Sequence, residues 1–384
     1  MVYKLTGRID SNNAAQLEEE LTMHLADESS GTLELNASEL SYISSAGLRV
    51  LLRVRKTCPD MRIINVNSEV YDILDMTGFT KMMTVEKSYR VVSIEGCEVI
   101  GRGAKGTIYR IDQDNVVKVY NDADALDDIR HEREMAKLAL ILGIPTAISY
   151  DVVKVGNGYG SVFELLNARS FSQILAQESE KMDWCVKEYV AILKKIHNTL
   201  VPSGKLPDIK VDMITRARFL EDELPENAWK KLLSLINSVP HDDHMIHGDY
   251  HTKNVMLQND EVLIIDMDTL SVGNPIFELS RIFNAFCGFT ELDHSVIKEF
   301  QGFDYETGQA FWHRFLAGYL DTQSEAELRE AEDKSSLLGY TYLICRTIRN
   351  HGRETEAGRT EIAYRKQRLL ELLERTDSLV FPFR

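Results

Sequence analysis

The sequence predicts two folded domains, a small α/β domain followed by a larger α+β domain with two lobes. The chain is 384 residues long, which is about twice the usual size of one domain. Short strands alternate with amphipathic helices over residues 1–88, the pattern of an α/β fold. From residue 96 onward, paired strands give way to nearly continuous helix. We therefore expect a linker at 89–95, a sheet-rich lobe at about 96–166 and a helical lobe at about 167–384.

Composition places the chain among ordinary folded proteins and argues against several partners. Hydrophobic residues make up 44% of the chain and charged residues 27%. The formal net charge of −16 disfavours nucleic acid and anionic membrane surfaces as partners. The five cysteines form no CxxC pair, residues 1–30 contain no long apolar run, and no stretch approaches 18 apolar residues. We therefore expect a cytoplasmic protein with reduced thiols.

The first domain is predicted to alternate strands with helices. Leu17, Leu21 and Leu25 recur every four residues among glutamates, the spacing of an amphipathic helix. Gly78 is a typical residue for the end of a helix. Besides the helix around the three leucines, the predicted strands and helices are, in chain order, strand 2–8, strand 32–36, helix 48–56, strand 62–66 and helix 70–78. Such an alternation buries a sheet.

The second domain is predicted to open with a hairpin. Residues 98–111 form one predicted strand, and residues 115–120 form its partner across the turn DQDN. A helix is predicted at about 124–141 and more strand at 148–166. After about residue 172 we expect helices, interrupted by one strand pair around 245–267.

A glycine-rich loop lies within this hairpin. Gly101, Gly103 and Gly106 match the pattern GxGxxG. A dinucleotide-binding fold requires a helix after the glycines, but a strand follows here, so that fold is excluded by context. Glycines between two strands let the backbone close over phosphate groups.

Lys118 lies on the next strand between Val117 and Val119. It is either a solvent residue of an edge strand or a buried cation that requires an anion, and the preceding glycine loop favours the second interpretation. Glu132 is the preferred partner and Glu134 the second choice; a solvated acidic helix face is the alternative for both.

The most informative segment runs from Met245 to Leu257 and places a polar loop between apolar residues. Phosphoryl transfer requires one carboxylate to orient and deprotonate the attacking hydroxyl, and a carboxylate and an amide oxygen to bind magnesium. Asp249 suits the first role, and Asn254 with Asp266 suits the second. Asp249 and Asn254 are five residues apart, which is the spacing of a kinase catalytic loop.

The motifs HGDYHTKN (247–254) and IDMD (265–268) resemble those of the aminoglycoside phosphotransferase and choline kinase superfamily. The resemblance covers about residues 96–285 and implies a bilobal protein kinase-like fold, with ATP and Mg²⁺ as cofactors. It also implies that Lys118 contacts the α- and β-phosphates and that Asp249 is the base. By order along the chain, Glu164 falls at the adenine-binding hinge.

Two departures from that pattern are visible. The family's GDPxxD is Gly273-Asn274-Pro275-Ile276-Phe277-Glu278 here, which concerns loop packing more than chemistry. There is no APE motif after the metal residues, which argues against an ordinary protein kinase.

Other polar residues nearby allow further interpretations. A run of histidines and aspartates at 241–251 could be a metallohydrolase cluster, but that leaves the glycine loop, Lys118 and Asn254 without a role. Asp268 either acts on the metal indirectly or caps a turn. Three aromatic residues could line a cation pocket, although core packing is the better interpretation: Trp312, Tyr340 and Tyr342.

Residues 1–88 resemble a STAS domain, the fold of anti-sigma factor antagonists, through LTGRIDSNNA (5–14) and SYISSAGLRVLL (41–52). Ser45 aligns with the serine that is phosphorylated in that family, and the aspartate that precedes it there is Ser44 here. The serines are also natural helix caps. A phosphoserine at this helix start would change the charge seen by a partner by nearly two units.

Together these observations predict an ATP-dependent phosphotransferase with a STAS domain for regulation or docking. The acceptor is expected to be a hydroxyl of a small molecule, and the acidity of the larger domain is compatible with a cationic one. The alternatives are a nucleotide-responsive partner-switching protein and a protein kinase that acts on a STAS serine. We expect protein partners through the STAS domain and neither nucleic acid nor membrane.

Overall fold

The computed structural model describes residues 2–26, 33–103 and 105–380. Thr32 of the predicted strand 32–36 and Ala104 of the glycine motif lie outside the described residues. The chain divides into two compact units. The first unit comprises residues 1–112, 116–125 and 150–162, and the second comprises residues 113–115, 126–149 and 163–384.

The first unit begins with four strands that alternate with helices. The strands pair in parallel, in the order in which they occur along the chain: β1 (Val2–Ile9), β2 (Glu34–Ile43), β3 (Arg62–Val66) and β4 (Val85–Lys87). The helices are α1 (Ala14–Ala26), α2 (Ser45–Thr57), α3 (Ser68–Met76) and α4 (Phe79–Met82). The predicted α/β alternation is therefore present, with β2 longer than expected.

Helix α2 packs its apolar face into the core of this sheet. Val50 and Leu51 are buried with strand residues such as Leu35 and Ile63 in one apolar cluster. Ser44 caps the helix by accepting a hydrogen bond from the backbone N–H of Ala46. The cap explains why α2 begins at Ser45, three residues before the predicted start.

The first unit also contains a six-stranded sheet. Its order is β5-β9-β10-β8-β7-β6, where the strands are β5 (Arg90–Val91), β6 (Glu98–Arg102), β7 (Gly106–Arg110), β8 (Asn115–Tyr120), β9 (Asp151–Val155) and β10 (Gly158–Glu164). Strand β5 lies within the predicted linker, where Arg90 pairs with Val153 and its guanidinium contacts Asp151 at 3.2 Å.

The prediction of one strand over 98–111 is wrong. Strand β6 ends at Arg102 and strand β7 begins at Gly106, and the N–H of Gly103 donates to the carbonyl of Gly106 at 2.9 Å. Strands β6 and β7 therefore pair antiparallel with each other. A Cβ at Gly106 would lie 2.3 Å from the carbonyl oxygen of Val119, so close strand packing requires glycine there.

The second unit is mainly helical. Its helices are α5 (Leu126–Ile141), α6 (Phe171–Gln177), α7 (Met182–His197), α8 (Ile209–Arg218), α9 (Glu226–Ser238), α10 (Ile276–Phe283), α11 (Ser295–Gln301), α12 (Tyr305–Leu320), α13 (Glu325–Arg349) and α14 (Glu356–Arg375). Its short strands are β11 (Arg169–Ser170), β12 (Met245–Ile246), β13 (Val255–Gln258), β14 (Glu261–Ile264) and β15 (Ser271–Val272). Across the described residues, no helix is both long and apolar enough to span a membrane.

The expectation of a single strand pair around 245–267 is only partly right. Strands β13 and β14 form that pair, and β11 extends it to three strands. Strand β12 instead pairs with β15, which lies beyond the predicted segment. The two-residue strands were too short to show a periodic pattern in the sequence.

A substitution at Gly47 tests the packing of α2 on its sheet. A Cβ there would lie 2.5 Å from Cγ2 of Ile9 and 2.8 Å from Cγ1 of Ile43. We expect Gly47→Val to lower the free energy of unfolding by about 1–3 kcal/mol, because overpacking displaces both isoleucines. Denaturant unfolding followed by circular dichroism measures the change. The exposed Arg49→Val on the same helix is the control, and equal stability of the two variants would contradict the packing.

Candidate active site

A tight hairpin brings the two predicted magnesium ligands together. Strands β13 and β14 are joined by Asn259 and Asp260, which both have positive φ, as the two central residues of a type I′ turn do. That two-residue turn sets the register, and the N–H of Ile265 donates to the carbonyl of Asn254 at 2.9 Å. Asn254 and Asp266 therefore lie at the same open end of the hairpin.

The loop that carries Asp249 folds back on itself. The side-chain amide of Asn254 donates to the carbonyl of Asp249 at 2.9 Å, which leaves the amide oxygen available for another ligand. The backbone N–H of Asn254 donates to the carbonyl of His251 at 2.9 Å. The N–H of Asp249 donates to Nδ1 of His247 at 3.2 Å. These bonds hold the predicted base and one predicted metal ligand in the same turn.

The carboxylate of Glu278 anchors the start of this loop. It is fully buried and accepts the backbone N–H of His247 at 2.6 Å and that of Gly248 at 3.1 Å. Gly248 has a φ of 85°, and a Cβ there would lie 2.6 Å from the carbonyl oxygen of Thr269. The hydroxyl of Thr269 donates to the carbonyl of His247 at 2.7 Å. The loop and the segment after Asp266 are thus bonded to each other.

A buried network keeps Glu278 ionised. Nε2 of His197 lies 3.8 Å from the Glu278 carboxylate, and Nδ1 of His197 contacts the hydroxyl of Tyr319 at 2.6 Å. Burial acts to raise the pKa of Glu278, but His197, His247 and the N–H of Gly248 outweigh it and hold the pKa below its ordinary value. The anchor therefore stays negatively charged at neutral pH.

The side chain of Asp249 is half-exposed, and its Oδ2 lies 3.5 Å from Nε2 of His251. Desolvation acts to raise the pKa of Asp249, but His251, His247 and Arg281 together lower it below the usual value for an aspartate. An ionised carboxylate in this position can accept a hydrogen bond from a hydroxyl and then its proton.

Asp266 has a left-handed backbone with a φ of 64° and a ψ of 64°. Its Oδ1 is buried and has no hydrogen-bond partner among the described residues. A buried carboxylate oxygen without a partner is costly unless a cation or a donor completes it. Asp266 and the free amide oxygen of Asn254 are therefore a fitting donor set for Mg²⁺, which prefers oxygen ligands and keeps several waters.

The histidines and aspartates at 241–251 have separate partners. His241 contacts Asp208 and Asp243, each at 3.1 Å, and the hydrogen bonds to Asp208 and then Asp243 raise its pKa. His244 contacts Asp242 at 2.5 Å. Within the described ranges, no group of three or more His, Cys, Asp or Glu could hold a metal ion.

The remaining predicted nucleotide ligands are distributed over both units. In the first unit, Lys118 is half-buried on β8 and its Nζ lies 5.1 Å from the ring centroid of Tyr120. In the second unit, Glu132 is half-buried on α5, whereas Glu134 is exposed. Glu164 is exposed at the end of β10. The pairing of Lys118 with Glu132 and the nucleotide roles of all these residues stay predictions.

The aromatic residues proposed for a cation pocket separate into two groups. Trp312 and Tyr340 are buried, and each packs edge-on against Phe283, at 5.8 and 5.7 Å between ring centroids. These two residues belong to the core. Tyr342 is half-buried, and the guanidiniums of Arg216 and Arg281 lie against its ring.

The sequence showed no role for several side chains that shape the loop. Glu278 was visible only as part of an altered GDPxxD pattern, 30 residues after the loop it holds. The hydroxyl of Thr252 donates to Gln301 at 2.7 Å and contacts Ser172 at 2.8 Å. Such contacts join residues far apart in the chain, so no local spacing indicates them.

Two family models match the chain, and only a few residues separate the two matched segments. Residues 96–311 match the phosphotransferase enzyme family, and residues 1–91 match the STAS domain. The chain belongs to the phosphotransferase enzyme family and carries an N-terminal STAS domain. The predicted family resemblances and the predicted two-domain fold class are therefore confirmed.

Individual relatives agree with this assignment. BtrV of Bordetella bronchiseptica, named as an anti-sigma factor antagonist, is 34% identical over 92 residues, which are 23% of this chain and 78% of BtrV. The ADP-bound aminoglycoside phosphotransferase APH(2'')-Ib has a similar fold, with a TM-score of 0.52 and 16% identity over 80% of this chain and 99% of its own.

A second solved structure shows the same fold. A thermostable mutant of the aminoglycoside phosphotransferase APH(4)-Ia, in a complex with ADP and hygromycin B, aligns with a TM-score of 0.50. The identity is 12%, and the alignment covers 73% of this chain and 94% of that one. The shared protein kinase-like fold is what these structures establish for the present chain.

The charge of Glu278 can be tested through stability. Because its pKa is lowered in the folded protein, its ionised form contributes stability above about pH 4.3, the ordinary value for glutamate, and this is lost as the pH falls through the lowered pKa. We expect Glu278→Gln to destabilise the protein at pH 7 by about 1–3 kcal/mol, since one buried N–H loses a charged acceptor. Thermal unfolding at several pH values should show the deficit shrinking as the pH falls below about 4.3.

Glu291 is the matched control for that experiment. Burial raises its pKa, and Oε2 of its carboxylate is buried without a partner among the described residues. Its ionisation therefore costs stability. As the pH falls, the free energy of unfolding of the wild type should rise relative to that of Glu291→Gln, which is the opposite trend. The same trend for both variants would contradict the assigned role of Glu278.

Proposed function

We propose that this chain is an ATP-dependent phosphotransferase that moves the γ-phosphate of ATP to a hydroxyl of a small molecule. The observation that carries the proposal is the grouping of Asp249, Asn254 and Asp266 around one hairpin end, with Oδ1 of Asp266 buried and unpaired within the described part of the chain. Membership of the phosphotransferase enzyme family supports it.

In the proposed reaction the acceptor hydroxyl donates a hydrogen bond to Asp249. The hydroxyl oxygen attacks the γ-phosphorus, and the bond to the bridging oxygen of the β-phosphate breaks, so ADP leaves with that electron pair. The hydroxyl proton passes to the carboxylate of Asp249. Asn254 and Asp266 would hold Mg²⁺, which when bound neutralises charge on the phosphate oxygens.

The other proposed residues act on the nucleotide. Lys118 would contact the α- and β-phosphates, and Glu132 would orient Lys118. The backbone at Gly101, Gly103 and Gly106 would cover the phosphates, and Glu164 would lie near the adenine. His251, at 3.5 Å from Asp249, is placed to keep the base ionised until the hydroxyl proton is transferred.

Two substitutions test the assigned roles. We expect Asp249→Asn to reduce phosphoryl transfer by about 10²–10⁴ and to leave ATP binding largely intact, because the base is lost but the ligands are not. Asp266→Ala should abolish transfer and weaken Mg²⁺-dependent ATP binding. Activity is measured as ADP release with aminoglycosides, choline, amino alcohols and sugars as acceptors.

Asp243→Asn is a suitable control, because the side chain of Asp243 bonds to the neighbouring His241 and is not part of the proposed site. It should leave both ATP binding and turnover unchanged. Turnover of Asp249→Asn close to that of wild type would overturn the proposed base.

A second candidate function is supported by the serines at the start of α2. Ser45 is exposed at the first helical position, whereas Oγ of Ser44 accepts the N–H of Ala46 at 3.2 Å. A STAS serine in the position of Ser45 could be the acceptor for a kinase domain, and its phosphorylation would change the surface offered to a protein partner. The STAS domain would then act as a regulatory or docking module.

Mass spectrometry tests this candidate directly. The purified full chain is incubated with ATP and Mg²⁺, and its phosphorylated residues are mapped. Self-regulation predicts a phosphate on Ser45 and none in the Asp249→Asn variant. An unmodified Ser45 in the wild-type chain counts against it, and Ser45→Ala controls for modification of Ser44.

A further inference from the structure

Four side chains from three helices form a charged cluster in the second unit, here called the arginine cluster: Asp212, Arg216, Arg281 and Tyr342. Nε of Arg216 contacts Oδ2 of Asp212 at 2.7 Å, and Nη2 of Arg281 contacts the same oxygen at 3.0 Å. The guanidinium carbons lie 4.6 Å and 3.9 Å from the ring centroid of Tyr342. Stacking on an aromatic ring restrains both planar groups.

The arginine cluster is connected through helix α10 to the loop that carries the proposed base. Arg281 is on α10, three residues after Glu278, and the Glu278 carboxylate is bonded to the N–H groups that precede Asp249. The charge of the Arg281 guanidinium also acts on Asp249 and contributes to the lowered pKa of its carboxyl. The helix that carries Arg281 thus also anchors the loop that carries Asp249.

The cluster has more positive charge than its own carboxylate neutralises. Two guanidiniums share one oxygen of Asp212, so these four side chains carry one net positive charge. The nearby carboxylate of Glu278, whose charge also acts on Arg281, is itself bonded to two backbone N–H groups. Each guanidinium has five N–H donors, and the buried Nε of Arg281 has no acceptor among the residues that the structure describes. The side chains of Arg216 and Arg281 are 17% and 14% exposed, so part of each remains accessible.

This arrangement discriminates between ligands by charge. A carboxylate or phosphate group matches the planar fork of a guanidinium and would satisfy the unpaired donors. An ammonium group would face two guanidiniums, and the only carboxylate in the cluster is already bonded to both. The acidity that is compatible with a cationic acceptor belongs to the whole larger domain, whereas the two guanidiniums act on the group that contacts them directly.

We propose that the phosphate acceptor is a small hydroxyl compound bearing an oxyanion group, either carboxylate or phosphate, and that Arg281 and Arg216 bind that group. This inference rests on the proposed phosphotransferase function and specifies its substrate class. Arg281 would hold the oxyanion while the hydroxyl of the same compound is presented to Asp249.

Inorganic phosphate is a direct probe of this site, because it supplies the oxyanion group without the rest of the acceptor molecule. The full chain is saturated with Mg²⁺ and a non-hydrolysable ATP analogue, and phosphate is titrated by calorimetry, with choline and glycerol as cationic and neutral comparisons. We expect saturable phosphate binding that Arg281→Gln and Arg216→Gln each weaken about tenfold or more, as loss of a charge-assisted hydrogen bond does. Choline and glycerol should not bind.

The control is Arg218→Gln, because Arg218 is exposed on the same helix as Arg216. It should bind phosphate as wild type does. Arg216→Lys keeps the charge without the planar fork and should give an intermediate affinity, which keeps the test valid if Arg281→Gln fails to fold. Absence of saturable phosphate binding, equal binding by all variants, or binding of choline instead would overturn the proposal.

Two further experiments distinguish a carboxylate from a phosphate acceptor and test the arginine cluster separately from the proposed phosphotransferase function. Hydroxy acids such as glycerate are compared with glycerol 3-phosphate as acceptors in ADP release; faster turnover of either supports the proposal, and turnover of choline or ethanolamine in their place contradicts it. Asp249→Asn should lose transfer but retain phosphate binding. Retained turnover in that variant would therefore refute the proposed base while leaving the arginine cluster to be judged on phosphate binding.

Discussion

The bonds between one buried carboxylate and two backbone N–H groups determine where the loop of this phosphotransferase lies. Glu278 is fully buried, and an ionised group there would be strongly destabilising without partners. The N–H groups of His247 and Gly248 supply those partners. Because Gly248 also packs against Thr269 with no room for a side chain, the loop and the segment after Asp266 keep one relative position. The chemistry proposed for Asp249 and Asp266 depends on that position.

Two groups of opposite charge in the described part of the site have unpaired atoms. Oδ1 of Asp266 and Nε of Arg281 are both buried without a hydrogen-bond partner in the described structure. A divalent cation would complete the first, and an oxyanion would complete the second. Most buried polar groups in native proteins are paired, so unpaired ones near the loop of the proposed base are candidates for ligand contacts. The two unpaired groups are consistent with a reaction that joins a metal-bound phosphate donor to an anionic acceptor.

The motif residues were predictable because their chemistry is local. The five-residue spacing of Asp249 and Asn254 and the apolar strand before Asp266 are visible in the sequence. The division of 98–111 into two strands was missed, because glycines are compatible with either a turn or a continuous strand. Only the hydrogen bond between Gly103 and Gly106 distinguishes the two. The start of α2 was missed by three residues, because the cap at Ser44 was visible only as one of two candidate serines.

Residue order alone was sufficient for the family, the two-domain fold class and the identity of the residues proposed for catalysis, since motifs and periodicity are properties of neighbouring residues. Contacts across the fold decided the rest. The anchoring of the loop by Glu278 and the meeting of Arg216 and Arg281 on Tyr342 join residues that are 30 to 126 positions apart. No local pattern encodes such contacts, because they arise only when helices pack and bring distant charges into a shared, partly desolvated space.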